Sequence, residues 1–359
     1  MWAIVVKEFR ELRRDRRMVA LMVLIPLLLL VVFGYAARFD VSSVKSEVVG
    51  PRAAAVAGHL PALFHVKNVK PDADRATAVA DLRTGNYAAV VVTTSAAAQP
   101  ELLVDGADLF DAQAITKGIA SAQVPVRVTV LFNPSLRTSA VMVPGIIGIL
   151  LVFVGTLATS LGVVRERQTG TLEQLAVMPF RPRDVLLGKI VPYFLVAAVD
   201  TAVVVSVALG IFNVPFHGSV PLFVLGAVLF LFVTLAIGVL ISTVSENQGQ
   251  AIQLTMMTLL PQILLSGFIF PVDSMAGGVR WISYLLPLTY FISVSRGVML
   301  RAAPIGALWF PLLMLAVLGT VVFALSTIRF RRDLAPNIKT PDPARRSGPA
   351  EPVTAGAKP

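Results

Sequence analysis

Residues 165–189 read RERQTGTLEQLAVMPFRPRDVLLGK. Charged and turn-forming residues crowd this stretch, and a long apolar run flanks it on each side. Thr138–Val164 upstream holds no Asp, Glu, Lys or Arg, and Ile190–Phe216 downstream holds only Asp200. A bilayer core takes about 20 apolar residues as a helix, so each flank is long enough to cross. Residues 165–189 therefore connect two candidate spans. Thr171 and Gln174 have capping-box spacing, with Glu173 in the first turn. Leu172, Leu175 and Ala176 follow as a short apolar face, and Pro179 ends it. The spacing predicts a short helix along the membrane surface, offset from the spans and charged toward water.

Four more runs extend the pattern: Met18–Ala37, Gly218–Ser245, Asn247–Val272 and Ala302–Ile328. Asn247–Val272 is polar at its start, so its apolar core is shorter than the run. The 359 residues are 56% hydrophobic and 14% charged, whereas about a quarter of a soluble domain is charged. Lipid is thus the expected solvent for much of the chain. Met18–Ala37 exceeds the roughly 7–15 apolar residues of a signal peptide and reads as a retained span. The absence of cysteine excludes disulfides, thiolate metal sites and a thiol nucleophile.

Lys and Arg orient the spans. Lys7, Arg10, Arg13, Arg14, Arg16 and Arg17 precede the first. Arg165, Arg167, Arg181, Arg183 and Lys189 lie between the second and third. Arg329, Arg331, Arg332 and Lys339 follow the sixth. The third-to-fourth connection has no such residue, and the fifth-to-sixth has Arg280, Arg296 and Arg301. Both termini and the 165–189 segment are expected in the cytoplasm of a multi-pass protein of the cell membrane. The net charge of +10 then marks topology and argues against a nucleic-acid partner. In residues 1–17, Trp2, Val5, Phe9 and Leu12 recur at helical spacing opposite the charges, which predicts an interfacial helix. The tail 329–359 is rich in Pro, Ala and Arg and reads as disordered.

Residues 38–137 are long enough for one small domain outside the membrane. SEVVGP, FHVKNV, NYAAVVVTT and ELLVDGAD read as strands. AAAVAGHL, DADRATAVADLRTG and FDAQAITKGIASA read as helices, the second stopping at Gly85. The alternation predicts an α/β fold. His59 and His65 have no neighbouring Cys or other clear ligand, so no metal site is indicated. The expected fold class is an all-α integral membrane bundle of six transmembrane helices with an inserted extracytoplasmic α/β domain. Residues 1–17 form the interfacial helix, 18–37 the first span, 38–137 the insert and 138–328 the five remaining spans.

Within the spans, Asp200 is costly unless paired or wetted. It reads either as part of a translocation path or as a structural hydrogen-bonding group with Thr201 and Ser206 as local partners. Gln253, Thr255 and Gln262 punctuate the fifth run, and Ser266, four residues after Gln262, shares its face. They read either as path-lining residues or as interhelical glue. Residues 273–301, broken by Gly277, Gly278 and Pro287, predict an outer re-entrant hairpin of two short helices. Trp281, Tyr284 and Tyr290 suit an interface, and the hairpin reads as an exit gate or an anchor.

RERQTGTLEQLAVMPFRPRDVLLGKIVPY (165–193) resembles the E-x-x-x-G-T-x-E-x-L…P…K-x-x-P-Y signature of ABC-2 type transporter permeases. LRTGNYAAVVV, LLVDGAD, LFNPSLRTSAVMVPGIIG, IGVLISTVSENQGQA, PQILLSGFIFPVDSM and LPLTYFISVSRGVML extend the resemblance over nearly the whole chain. It implies a permease homodimer, or a heterodimer with a related permease, carrying two cytoplasmic ABC ATPase subunits. It also implies that Glu166 and Arg167 close the second span. Thr169, Gly170, Thr171, Glu173 and Leu175 then couple to the ATPase. No G-x-x-x-x-G-K-[ST] occurs, and Gly188-Lys189 is followed by Ile190. ATP and Mg are therefore expected in the partner, with no cofactor on this chain and no enzymatic activity of its own. The expected function is outward movement of a lipophilic or amphipathic substrate, such as a drug or lipid. The alternatives are small-ion export of the sodium type and ATP-driven mechanotransmission without substrate passage.

Overall fold

Val44–Val49 (β1), Phe64–Lys70 (β2), Ala89–Val92 (β3), Glu101–Asp105 (β4) and Arg127–Leu131 (β5) form one sheet in the order β2-β1-β3-β4-β5. The computed structural model describes residues 43–94, 99–122, 125–169 and 182–334, together with 20, 24 and 27. The expected interfacial helix 1–17, most of Met18–Ala37, residues 170–181 and the tail from 335 onward lie outside the described residues. β1 pairs in parallel with β2 and β3, β3 pairs antiparallel with β4, and β4 pairs in parallel with β5. Ala53–Ala57 (α1), Arg75–Arg83 (α2) and Leu109–Ala122 (α3) complete this unit.

Successive strand side chains point to opposite faces, so these strands need apolar residues at consecutive positions. Ala89, Val91, Leu102 and Val104 join Ala112, Ile115 and Ile119 of α3 on one face. Val90, Val92 and Leu103 join Ala78 and Leu82 of α2 on the other. Covering both faces explains the near-continuous apolar runs. Asp74 caps α2 by accepting from Thr77 N at 2.9 Å. Every strand and helix expected between 44 and 122 is present. β5 was not among the expected strands.

Long helices follow: Thr138–Gln168 (α4), Pro182–Gly210 (α5), Val220–Val244 (α6), Gln248–Leu265 (α7) and Ile305–Leu334 (α10). Gly277–Ser283 (α8) and Pro287–Met299 (α9) come between the last two. Among the described residues, four helices are long and apolar enough to cross a membrane: Thr138–Gln168, Ile190–Gly210, Val220–Val244 and Ile305–Phe330. α7 is not among them. It stops at Ser266 before Gly267, whose φ of +85° breaks the helix. The apolar residues beyond it pack as irregular chain, with Phe270 buried against Leu264, Leu265 and Met275.

α6 lies at the centre, packed against α4, α5, α9 and α10. Phe230 of α6 stacks on Phe291 of α9 with ring centroids 4.4 Å apart. A Cβ on Gly148 of α4 would fall 2.5 Å from Leu288 Cδ1 and 2.8 Å from Phe291 Cδ1, so this glycine admits α9. Tyr290, expected at an interface, is buried, and its hydroxyl donates to Tyr284 O at 2.7 Å. Trp281 and Tyr284 are exposed. The 165–189 stretch is partly helical: 165–168 finish α4, and 182–189 begin α5.

Candidate functional site

The two ends of the bundle and a line of polar groups between them carry the candidate chemistry. At the end of α4 that bears Arg165 and Arg167, Thr169 caps the helix, its Oγ1 donating to Arg165 O at 3.2 Å and Glu166 O at 3.1 Å. Arg167 Nη1 donates to Ser245 O at 3.1 Å, and Gln248 Nε2 donates to Gln168 Oε1 at 3.2 Å. The end of α4 is thereby tied to the α6–α7 turn. Asn247 orders that turn by accepting from Gln250 N at 2.9 Å. Glu166 is partly buried. Gly170, Thr171, Glu173 and Leu175 lie outside the described residues.

In the middle, Asp200 is partly buried on α5. The local partners expected for it are engaged elsewhere. Thr201 Oγ1 donates to Ala197 O at 2.6 Å, and Ser206 Oγ donates to Ala202 O at 2.7 Å. In a helix each hydroxyl reaches back four residues to a carbonyl, which turns it away from the carboxylate. On α7, Thr255 Oγ1 likewise donates to Ala251 O at 2.8 Å and lies 3.4 Å from Ser160 Oγ of α4. Gln253 Oε1, Gln262 Oε1 and Ser266 Oγ are buried with no hydrogen-bond partner among the described residues.

The end of the bundle next to the sheet holds the feature that sequence reasoning missed. Arg301, between α9 and α10, donates through Nε to Asp105 Oδ2 and through Nη2 to Asp108 Oδ2, both at 2.7 Å. Asp105 ends β4 and is fully buried. Burial pushes its carboxyl up to about 6, against the pull of Arg301. Burial alone would lower the Arg301 guanidinium, but Asp105 and Asp108 together raise it. Arg296 of α9 is also buried, 3.8 Å from Asp108. Asp273 pairs with Lys45 of β1 and with Arg280 of α8. Gly85, at φ +74°, ends α2 and leaves room for the guanidinium, since a Cβ there would lie 2.9 Å from Arg301 Nη1.

The three arginines expected in an outer loop are therefore set against acidic residues, two of them inside the structure. The aspartates read as turn residues of ELLVDGAD, Asp105 and Asp108, are the partners of Arg301 and lie beside Arg296, while Arg280 pairs with Asp273. Between these groups lies a cavity of 290 Å³, bounded by Asp108, Asp111, Met142, Ser266, Asp273 and Arg296 among others. It joins the sheet unit to the end of α7.

Four described helices long and apolar enough to cross a membrane mark an integral membrane protein. The ABC-2 family transporter proteins match the chain over residues 16–328, and the chain belongs to that family. It is 29% identical over 333 residues to the probable multidrug ABC transporter permease YbhS of Escherichia coli K12, covering 83% of this chain and 88% of that one. To the probable multidrug permease YbhR of the same organism it is 25% identical over 366 residues, covering 92% and 98%. To its inner membrane transport permease YhhJ it is 33% identical over 206 residues, covering 56% and 54%. Membership implies association with a membrane and with separate ABC ATPase subunits, where hydrolysis takes place.

Proposed function

We propose that this chain is the membrane half of an ATP-driven exporter that moves a lipophilic or amphipathic substrate outward. On this reading it has six spans, Met18–Ala37 and α7 adding to the four membrane-length helices. Both termini are cytoplasmic, and the sheet unit of residues 38–137 stands outside. The working unit is a dimer, with itself or with a related permease, and residues 165–189 receive the movement of the ATPase.

The observation that carries the reading is a set of unpartnered polar atoms along α7 and at its Ser266 cap, of which Gln262 and Ser266 share a face. An unsatisfied buried acceptor costs about 1–3 kcal/mol. Interhelical glue would have partners, and Gln253 Oε1, Gln262 Oε1 and Ser266 Oγ have none among the described residues. A passing polar group or water would supply them. Gln262→Leu should leave thermal stability unchanged or raise it by about 1 kcal/mol. ATP-driven export by the reconstituted complex should fall at least about tenfold, a barrier of about 1.4 kcal/mol. Undiminished export of a lipophilic dye into inside-out vesicles would remove the path.

A second reading is favoured by the Arg301 clamp, which fastens the sheet unit to the bundle. Under it the chain transmits ATP-driven movement to the outer unit and passes nothing. The two readings part in the same vesicles, because mechanotransmission gives ATPase activity with no solute movement.

A further inference from the structure

Asp111, in the first turn of α3, opens into the outer cavity. Among the described residues it has no hydrogen bond or ion pair, although charged groups from every neighbouring element surround it. Asp105 and Asp108 from the β4–α3 turn are held by Arg301. Asp273 is held by Lys45 of β1 and Arg280 of α8. Arg296 of α9 directs its guanidinium at Val141 O, Gly267 O and Phe268 O, at 3.3–3.4 Å. Each base thus has an acceptor, and Asp111 is the carboxylate left over. Ser266 is 1% exposed, and its Oγ has no partner among the described residues. An unpaired carboxylate and an unpaired hydroxyl line one cavity, with Phe110, Met142, Phe268 and Ile292 among its other walls.

We propose that this cavity binds a protonated amine head group carried on an apolar body, with Asp111 as counter-ion and Ser266 Oγ accepting a hydrogen bond. The assignment rests on the export reading and narrows its cargo to ammonium-bearing amphiphiles. A hard metal ion takes about six oxygen ligands. The other two carboxylates of this cavity are already held, Asp108 by Arg301 and Asp273 by Lys45 and Arg280, which leaves Asp111 alone to meet a cation. The 290 Å³ volume is at the lower edge of about 300–1,000 Å³ for drug-sized ligands. It therefore fits a head group and the first carbons of a chain. Free amphipathic amines and the amine head groups of phospholipids share this chemistry.

The test titrates the full chain in phosphatidylcholine nanodiscs with octylammonium and with octanol, against empty nanodiscs. At about pH 8, where Asp111 is charged, octylammonium should bind at least about tenfold more tightly than octanol. Asp111→Asn should weaken octylammonium at least about tenfold without lowering the thermal transition. Ser266→Ala should weaken it a few-fold. Burial and the nearby Asp108, Asp273 and Asp105 carboxylates hold the Asp111 carboxyl up at about 7. Wild-type affinity should therefore fall as pH drops through about 7 and stay flat in Asp111→Asn. In nanodiscs containing phosphatidylethanolamine, weakened octylammonium binding identifies the lipid head group as the occupant, and unchanged binding identifies free amines. Equal binding of octanol, or an Asp111→Asn chain that binds like wild type, overturns the proposal. ATP-driven export of a neutral lipophilic dye, measured on the same chain with its ATPase, tests the export reading separately and can persist when octylammonium fails to bind.

Discussion

Arg301 reaches across 196 residues of sequence to Asp105 and 193 to Asp108. Asp105 is fully buried, so removing its partner leaves a carboxyl desolvated and unmatched. Breaking a buried pair from one side costs about 3–5 kcal/mol. Arg301→Met should lower the unfolding free energy of the purified chain by about that amount. Adding Asp105→Asn should recover a good part of it, because the uncompensated charge is then gone. Arg301→Lys should fall between, since a point-like ammonium cannot fork across two carboxylates. A loss below about 1 kcal/mol, the range of an exposed pair, would mean that water screens the site. None of this pairing was legible in the sequence. Local spacing reports neighbours on a helix or strand, and nothing local joins a turn after β4 to the end of α9. Asp200 shows the converse: its sequence neighbours Thr201 and Ser206 suggested partners, and the helix sends both hydroxyls to backbone carbonyls.

Individual elements were far more legible, because each follows from a local pattern. The Asp74 cap and Gly85 stop bound α2, and the charge-free runs became α4, α6 and α10. The two overextended helices share one physical cause. Burial continues where the helix does not, so an apolar run overstates its helix. Val214 packs into the core beyond the end of α5, and Phe270 does so beyond α7. β5 carries a period-two signal in Val126, Val128 and Val130, all packed against the sheet core. The packing of α4 on α6 is decided by small residues. Thr156 Oγ1 donates to Thr234 O at 3.2 Å across the pair. A Cβ on Gly238 would lie 2.7 Å from Thr156 O and 2.9 Å from Thr159 Cβ. Two of the three closest atoms are backbone, so the helices themselves must part. Gly238→Ala should cost about 1–3 kcal/mol in thermal unfolding. Gly306→Ala, in α10, meets nothing within 4 Å and should be neutral or stabilising by up to about 1 kcal/mol. Equal effects at the two sites would show that helix propensity, not close approach, governs these glycines.

Across the whole molecule, α4 is the element that touches both ends. Its 31 residues span about 46 Å at 1.5 Å each. Its first turns pack Ala140 and Val141 against Ala107, Leu109 and Leu300, where the sheet unit meets the bundle. Its last turn carries Arg167, bonded to Ser245 O. On the proposed function, force applied near residues 165–189 reaches the cavity beside the sheet through one helix, provided the Arg167 end is held to the α6–α7 turn. Arg167→Ala removes the charged part of that hold, leaving the Gln248–Gln168 bond and the apolar packing of α4 on α6. A hydrogen bond from a charged donor is worth about 1.5–3 kcal/mol, so the chain should still fold and bind its ATPase. Transmission should suffer: ATP hydrolysis by the reconstituted complex should continue while substrate moved per ATP falls at least about tenfold, the effect of losing about 1.4 kcal/mol of coupling. Glu166→Ala, one position away, should act in the same direction without lost assembly. If both variants export at the wild-type ratio, the inner end of α4 is only a structural terminus and the movement enters elsewhere. If hydrolysis stops together with export, the residues serve docking rather than transmission, and co-purification of the ATPase with each variant separates those two outcomes.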